Sequence, residues 1–348
     1  MACGEPDGPA CPNWTKVAAL PAGIVLTGGL CGKTYVTGYY DNGGPACILK
    51  YSGGTWAEVY RADDPSYYLC DVQRDHAWKS LWACGYYSGN IEYEPYLIKE
   101  DPKGGTWVSA PLPGFAGFAV STVVPIDEGA CWLTLDDYYL PGDRDGLLGL
   151  YRNGQLALFP ELGKVTIAYS NEGLLFAIPY PEFSTCVRSG KADIFITSDF
   201  GKTWVKEIIP EEVLGGREIK QARALTTNGP DLFFAVNADG PGALGIIERS
   251  GGPGSGKYQL KFFSYTGPYF LNICDFAIRP RRAEPYGISK DAVGVGDLTT
   301  VVFTADVPIV EILPYPVNFF RVISASSPGF FAIGYEYATK EYGLYYHP

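Results

Sequence analysis

Histidine and methionine are almost absent from this chain of 348 residues. The only histidines are His76 and His347, and methionine stands only at position 1. A Ser-His-Asp triad or a histidine-based zinc site therefore has almost nothing to form from. Glutamine occurs only at positions 73, 155, 221 and 259, whereas 27 prolines are present. Scarce thermolabile residues and frequent prolines favour a thermophilic source.

Cysteine occurs nine times but never as Cys-x-x-Cys. Without that spacing a zinc site is not predicted, and we expect most of these thiols to be small buried side chains. Two pairs are candidates for a disulfide bond: Cys3 with Cys11, and Cys70 with Cys84, which fall on neighbouring predicted strands. The odd count leaves at least one cysteine outside any intramolecular bridge.

Long apolar runs and excess positive charge are missing as well. No segment has 18 consecutive apolar residues, and the first residues lack a basic region followed by an apolar one. We therefore expect a soluble chain with no membrane insertion and no signal peptide, in a compartment that the sequence does not identify. The net charge of −11 repels polyanions, so no nucleic acid is expected as a partner.

A short motif, Gly-x-Thr-Trp, occurs three times, at residues 53–56, 104–107 and 201–204. Each copy is followed by a short alternating run, and weaker copies of the same outline occur elsewhere. The resulting equivalent positions are 42 to 55 residues apart along the chain: Trp14, Trp56, Trp107, Leu156, Trp204, Gln259 and Pro308. Periods of this length are typical of repeat folds.

Each period contains four runs rich in Val, Ile, Tyr, Phe and Thr, separated by Gly, Pro, Asn and Asp. Four strands in a period of about 50 residues are typical of a propeller blade. The sequence therefore predicts an all-β fold, a single seven-bladed β-propeller over residues 1–348 with four-stranded antiparallel blades. The last blade has three strands of its own and is closed by the N-terminal strand at 13–21. The predicted blades are 22–62, 63–113, 114–162, 163–212, 213–266, 267–317, and 318–348 with 13–21.

The hairpin sequence TSDFGKTW at 197–204 resembles the Asp box, the BNR repeat motif of the sialidase-like propeller superfamily. Its consensus positions are Thr197, Asp199, Gly201, Thr203 and Trp204. The resemblance implies an architectural role, because in that superfamily the boxes lie on the face opposite the active site. An Asp in such a turn accepts from backbone amides, and Gly supplies a positive φ. A sialidase also needs three clustered arginines and a Tyr–Glu pair, and the arginines of this chain do not recur at corresponding positions of successive blades.

Tyrosines and carboxylates crowd the loops that would share one face of such a propeller. Tyrosine combines a flat apolar ring with a hydroxyl group, which suits both sugars and protein partners. The alternative interpretation is that these rings cap the blades and pack on each other. The candidate ligand-binding residues are Tyr39, Tyr40, Asp41, Tyr86, Tyr87, Asp136, Asp137, Tyr138, Tyr180, Asp239, Tyr335, Glu336 and Tyr337.

Two classes of function stay open. The first is a non-enzymatic binding or scaffold protein that uses this face for a protein partner or a glycan. The second is a glycoside hydrolase or lyase that uses a carboxylate pair on the same face, and no catalytic residue is identified. No cofactor or metal site is predicted; the alternative is Ca²⁺ bound by the carboxylates of the loop after Asp136 and Asp137. The oligomeric state is not indicated.

Overall fold

The structure is a computed structural model. It describes residues 15–31, 35–75, 77, 79–89, 92–101, 105–112, 114–137, 146–179, 193–217, 219–238, 243–265, 271–279, 284–291, 300–304, 307–313, 317–324, 330–336 and 339–347. For the described residues within 29–31, 137, 219–224, 237–244, 262–332, 336 and 347, the description covers the backbone alone.

Strands account for almost all of the regular structure. Two short 3₁₀ helices, Pro160–Leu162 and Glu211–Leu214, are the only helical segments in the described residues, and none there could cross a membrane. The strands are β1 (Thr15–Ala19), β2 (Ile24–Cys31), β3 (Tyr35–Tyr40), β4 (Ala46–Ser52), β5 (Thr55–Arg61), β6 (Tyr67–Arg74), β7 (Leu81–Ser88), β8 (Tyr93–Glu100), β9 (Trp107–Ser109), β10 (Phe118–Pro125), β11 (Ala130–Asp137), β12 (Gly146–Arg152), β13 (Gln155–Phe159), β14 (Val165–Tyr169), β15 (Leu175–Pro179), β16 (Asp193–Thr197), β17 (Val205–Ile208), β18 (Ile219–Asn228), β19 (Asp231–Ala238), β20 (Ala243–Ser250), β21 (Lys257–Tyr265), β22 (Leu271–Arg279), β23 (Glu284–Asp291), β24 (Thr300–Thr304), β25 (Val307–Leu313), β26 (Val317–Ser324), β27 (Phe330–Glu336) and β28 (Glu341–His347).

The chain divides into two compact units, Pro21–Tyr169 and Met1–Leu20 with Ser170–Pro348. We call them the N-terminal and the C-terminal unit. The N-terminal unit contains three four-stranded antiparallel sheets, β2–β5, β6–β9 and β10–β13, followed by β14. The C-terminal unit contains β15–β17, the sheets β18–β21 and β22–β25, and the sheet β1-β28-β27-β26. The prediction of an all-β chain built of four-stranded antiparallel sheets is confirmed.

The N-terminal strand completes the last sheet, as the sequence predicts. Thr15 of β1 lies opposite Tyr346 of β28, and Ala19 lies opposite Gly343. The ladder continues beyond the strand, because the amide of Leu20 donates to the carbonyl of Tyr342 at 2.9 Å. This pairing covers the hydrogen-bonding edge of β28, which would otherwise be open to a foreign strand.

The first strand of most sheets carries a β-bulge against the second. In β6 the register skips Cys70, and similar irregularities occur in β2, β10, β18, β22 and β26. A bulge shifts the alternation of side chains by one residue. Leu69 and Val72 therefore enter the same buried cluster although they are three residues apart, and Val120 and Val123 of β10 do the same in another.

The 197–204 hairpin has the geometry that its sequence predicts. The Thr197 hydroxyl donates to Asp199 Oδ1 at 2.8 Å and accepts from the Gly201 amide at 2.9 Å. Asp199 accepts from the amide and the hydroxyl of Thr203 at 2.9 and 2.7 Å. These bonds, that of the Thr203 amide first, lower the pKa of Asp199 to about 2. Gly201 has a φ of 80°, a conformation that a β-carbon would strain.

A buried ion pair joins β17 to the hairpin of β20 and β21. Arg249 is fully buried; its Nε donates to Glu207 Oε2 at 3.0 Å and its Nη2 donates to Glu207 Oε1 at 2.6 Å. The carbonyl of Gly252 accepts from Nη2 at 2.6 Å, and Glu207 also accepts from the Gly254 amide and the Tyr258 hydroxyl. Burial alone would raise the pKa of Glu207, but the bonds from Arg249 and Tyr258 hold it below the usual value. The glycine-rich segment 250–256 is therefore a turn whose carbonyl groups accept hydrogen bonds from Arg249, and it is followed by strand β21.

The candidate disulfide between Cys70 and Cys84 is wrong, because both are free thiols, as are Cys47 and Cys131. The reason lies in the bulge: Cys84 lies opposite Asp71 in the ladder, and Cys70 is the residue that the register skips. Burial raises the pKa of Cys70 to about 12. The other candidate pair, Cys3 with Cys11, lies outside the described residues.

Removal of residues 1–21 is expected to lower the free energy of unfolding by at least about 2 kcal/mol. Burial of one leucine such as Leu20 contributes about this much, and β28 loses its partner strand in addition. Urea unfolding of the full and shortened chains measures the change. Removal of residues 1–12 alone is the control, since β1 stays intact. Equal stability of the full chain and the longer deletion would show that β1 contributes nothing.

Arg249→Met is expected to destabilise the chain by about 3 to 5 kcal/mol, because it leaves the Glu207 carboxylate buried without a counter-charge. Glu207→Gln combined with Arg249→Met should lose less than Arg249→Met alone. Lys206→Met is the control: its ammonium pairs with Asp193 at 2.6 Å but is half exposed, so its loss should cost under about 1 kcal/mol. The contribution of Glu207 is complete above the usual carboxylate pKa and is lost as the pH falls through its lowered value. Equal losses for all three variants would contradict this account.

Candidate functional site

Tyrosine side chains of the N-terminal unit collect at one end of its first two sheets. There β3, β5 and β7 end, and β6 and β8 begin. The rings of Tyr68 and Tyr86 are stacked with centroids 5.0 Å apart. Tyr39 approaches Tyr68 edge-on at 6.1 Å, and Tyr93 approaches Tyr86 edge-on at 4.9 Å. The four rings form one continuous aromatic row across β3, β6, β7 and β8.

A second row of rings runs beside the first. The ring of Tyr67 lies 4.8 Å from that of Tyr87 and 4.3 Å from that of Tyr96. The hydroxyl groups of Tyr96 and Tyr60 are 2.7 Å apart, and Tyr60 packs on Trp107. Burial, followed by this contact, raises the pKa of Tyr60, and burial also raises that of Tyr96. Tyr60 and Tyr96 pack against the apolar core between the first two sheets.

The ladder register of β6 and β7 produces the two rows. Tyr67 lies opposite Tyr87 and Tyr68 lies opposite Tyr86. Adjacent residues of a strand point to opposite faces, so two tyrosine doublets paired in this way yield one ring pair on each face. Gly85 permits the close approach of these strands, because a β-carbon there would overlap the carbonyl oxygen of Tyr68.

Three of these tyrosines have hydroxyl groups with no hydrogen-bond partner among the described residues. Tyr39, Tyr68 and Tyr87 are half-buried, and within the described part of the chain their hydroxyl groups make no hydrogen bond. Half-buried tyrosines with an apolar ring and a free hydroxyl are typical of recognition surfaces. These rings lie on both faces of the second sheet, at the end where Tyr39 of the first sheet joins them. We call Tyr39, Tyr67, Tyr68, Tyr86, Tyr87 and Tyr93 the tyrosine surface.

Four carboxylates border this surface, Asp63, Asp64, Glu92 and Glu94. Glu94 lies opposite Tyr87 in the ladder, and Asp64 Oδ1 accepts from the amide of Ser66 at 2.8 Å. The pKa of Tyr67 is raised by burial, by Tyr87, and by the negative charges of Asp64, Glu94 and Asp63. Within the described residues none of the four carboxylates forms an ion pair. We call these four residues the carboxylate rim.

Tyr40 lies at the same end but is committed to an internal network. Its hydroxyl donates to Glu58 Oε2 at 2.6 Å, and Arg61 binds Glu58 through two nitrogens, each at 2.9 Å. The Arg61 guanidinium also lies 4.6 Å from the Tyr40 ring centroid. The hydrogen bond to Glu58, then burial, raises the pKa of Tyr40 above its usual value. A phenol that resists ionisation is a poor nucleophile, so this Tyr–Glu pair does not match the one that a sialidase needs.

Asp41 and Asp136 also have local partners. Asp41 Oδ1 accepts from the amide of Asn42 at 3.1 Å within the turn after β3. Asp136 Oδ1 lies 2.8 Å from the Lys164 ammonium, which occupies the position that a cation would take beside this carboxylate. Across the residues that the structure describes, no three His, Cys, Asp or Glu side chains form a metal-binding group. Calcium binding by the loop after Asp137 remains a prediction.

The structure brings together Tyr39, Tyr86 and Tyr87 from the predicted site and places Tyr40, Asp41 and Asp136 in local contacts. Tyr335 lies in the C-terminal unit, where its ring packs 4.9 Å from that of Tyr342. Tyr138, Tyr180, Asp239 and Tyr337 lie outside the described residues, as do the side chains of Asp137 and Glu336.

Sequence reasoning missed Tyr67, Tyr68 and Tyr93 as members of this surface. The missed signal is the pairing of doublets: a Tyr-Tyr at the start of one strand and another at the end of the next occupy opposite positions in an antiparallel hairpin. Aligning Tyr67-Tyr68 against Tyr86-Tyr87 would have placed both rows.

No protein-family model matches the chain, and no curated protein matches its sequence. Among solved structures it is similar to an oligogalacturonate lyase in complex with manganese, with a TM-score of 0.60 and 10% identity over 96% of this chain and 92% of that one. It is also similar to the uncharacterised protein lmo1340 from Listeria monocytogenes, with a TM-score of 0.52 and 11% identity over 94% and 96% of the two chains.

Two peptidases share part of their length with this fold. Prolyl oligopeptidase B from Galerina marginata has a TM-score of 0.56 and 11% identity over 92% of this chain but only 50% of its own. A puromycin-hydrolysing peptidase from Mycobacterium tuberculosis has a TM-score of 0.56 and 13% identity over 95% and 55%. The chain thus spans about half of these peptidases, and identities this low show a propeller-like fold alone. Membership of the Asp-box family is not shown by these comparisons.

Glu58→Gln is expected to bring the pKa of Tyr40 down towards the usual tyrosine value. The carboxylate that accepts the hydrogen bond of the Tyr40 hydroxyl and repels its phenolate is removed, whereas the positive charge of Arg61 remains. Ultraviolet absorbance titration measures this, with Tyr40→Phe to identify the signal of Tyr40. Asp101→Asn, at the opposite end of the sheets, is the control. An unchanged Tyr40 titration in Glu58→Gln would contradict the assigned cause.

Proposed function

We propose that the chain is a single seven-bladed β-propeller of the Asp-box type, closed by its N-terminal strand, that binds a glycan through the tyrosine surface without chemical conversion. The pairing of β1 with β28 and the repeated four-strand order support the closed ring. The six complete sheets, together with β15–β17 and β14 as the proposed fourth strand, supply seven blades. The match over nearly the whole of both chains with a propeller-like lyase supports the same architecture.

One observation carries the functional proposal: among the described residues, the hydroxyl groups of Tyr39, Tyr68 and Tyr87 have no hydrogen-bond partner and lie at the same end of the sheets as carboxylates that form no ion pair. Sugars present apolar C–H faces, which stack on aromatic rings, and hydroxyl groups, which donate to carboxylates. The tyrosine surface and the carboxylate rim offer both kinds of contact at one end of two adjacent sheets. Tyr60 and Tyr96, whose hydroxyl groups bond to each other, serve as the rigid support behind the surface.

A protein partner fits this surface less well than a glycan. The cores of protein interfaces are depleted of carboxylates, which must be desolvated on binding. A glycan leaves the rim carboxylates partly in water while it accepts or donates hydrogen bonds. A protein partner is therefore the outcome expected only if the chain binds no glycan at all.

A lyase or glycoside hydrolase is the second candidate, favoured by the full-length similarity to a lyase. In such an enzyme a pair of rim carboxylates, for example Asp64 and Glu94, would serve as acid and base. Release of a cleavage product from a bound oligosaccharide would favour the lyase or glycoside hydrolase over the binding protein.

Tyr68→Ala and Tyr87→Ala are each expected to lower the affinity for a bound oligosaccharide about tenfold, the effect of losing one aromatic stacking contact. A glycan array identifies the ligand, calorimetry measures its affinity, and a product assay on the same ligand detects cleavage. Tyr51→Ala is the matched control, because Tyr51 packs against Trp56 at the other end of β4. Equal losses in the control and the two variants would refute the assignment of the site.

A further inference from the structure

The tyrosine surface carries a strong local negative charge. Asp63, Glu92 and Glu94 are exposed, and Asp64 is half-buried and fixed by its bond to the Ser66 amide. The one arginine of the neighbouring strand end, Arg61, is already bound to Glu58 through two nitrogens. Its charge is therefore largely neutralised, and the carboxylate rim has no counter-ion within the described residues.

The aromatic rings beside the rim add partial negative charge to the full negative charge of the carboxylates. Tyr67 packs between Tyr87 and Tyr96, and Asp63, Asp64 and Glu94 act electrostatically on its hydroxyl group. The faces of aromatic rings carry partial negative charge and attract ammonium groups within about 6 Å. Rings and carboxylates thus favour the same kind of ligand, one that combines an apolar face with positive charge.

We propose, on the basis of the glycan-binding function above, that the ligand of the tyrosine surface is a glycan with free amino groups, a glucosamine-type oligosaccharide. Its ring faces stack on the tyrosines and its ammonium groups pair with the carboxylate rim. The same charge excludes uronate-containing glycans, because their carboxylates would face the rim at short range. The similarity to an oligogalacturonate lyase therefore extends to the fold and not to the charge of the ligand.

The experiment compares the binding of three hexasaccharides to the full chain by calorimetry: β-1,4-linked glucosamine, its fully N-acetylated form, and oligogalacturonate. The glucosamine hexamer should bind at least tenfold more tightly than the N-acetylated one, and the preference should shrink at high salt, since partly exposed charges are screened. Oligogalacturonate should show no binding.

Asp64→Asn combined with Glu94→Gln is expected to reduce the affinity for the glucosamine hexamer about tenfold and that for the N-acetylated hexamer by much less, because the new amides still accept from sugar hydroxyl groups but attract no ammonium group. The asparagine side chain at position 64 can still accept the hydrogen bond from the Ser66 amide, so the turn before β6 is kept. Glu128→Gln is the matched control, because Glu128 is exposed and lies in the hairpin at the opposite end of the third sheet. Thermal unfolding checks that all variants fold.

The outcomes separate this inference from the function on which it rests. Equal binding of the charged and N-acetylated hexamers, both lost in Tyr68→Ala, would overturn the amino-sugar inference and leave the glycan-binding function standing. Tightest binding of oligogalacturonate would overturn the charge argument and favour the lyase. Absence of binding by any of the three, with an empty glycan array, would overturn the proposed function as well.

Discussion

The register between the first and second strands of each sheet is the constraint on which the rest of this structure depends. In the second sheet, the bulge at Cys70 allows Leu69 and Val72 to enter one core from positions of opposite parity. The same register sets Tyr67 opposite Tyr87 and Tyr68 opposite Tyr86. A slip of one residue would turn every side chain of the strand to the other face, so core and tyrosine surface cannot be changed independently.

Some charged side chains of this protein are paired within the fold, and others lie at the surface. Arg249 is fully buried against Glu207, Lys164 pairs with Asp136, and other cations lie over aromatic rings. For the buried pair of Arg249 and Glu207, matching the two charges avoids the cost of an isolated buried charge. With a net charge of −11, such pairing leaves unmatched carboxylates at the surface. The carboxylate rim is one place where several of them lie together beside exposed rings, and this is why charge argues for a cationic ligand there.

The sequence was sufficient for those features that repeat. Four strand-like runs in each period and the Asp199 hairpin follow from local patterns, since turn residues and alternation act over a few positions. The return of the N-terminal strand to the last sheet follows from the strand count, because the last period has only three strands of its own. The candidate site was only partly predictable. Tyr39, Tyr86 and Tyr87 followed from the loop assignment, whereas Tyr68 required the ladder register, and the capture of Tyr40 by Glu58 and Arg61 required knowing which strands are neighbours. The disulfide prediction failed for the same reason, because the bulge removes Cys70 from the register that would pair it.

A shared propeller-like fold places loops and strand ends at corresponding positions in proteins of different chemistry, and the side chains at those positions decide what is bound. Here they are tyrosine rings packed in two rows, and the hydroxyl groups of Tyr39, Tyr68 and Tyr87 make no hydrogen bond within the described part of the chain. A catalytic phenol would require a pKa tuned towards its task, whereas the bond to Glu58 raises the pKa of Tyr40. A rigid aromatic support beside carboxylates that form no ion pair among the described residues is suited to holding a ligand whose ring faces and charges match it, and this supports the binding function proposed for this end of the N-terminal unit.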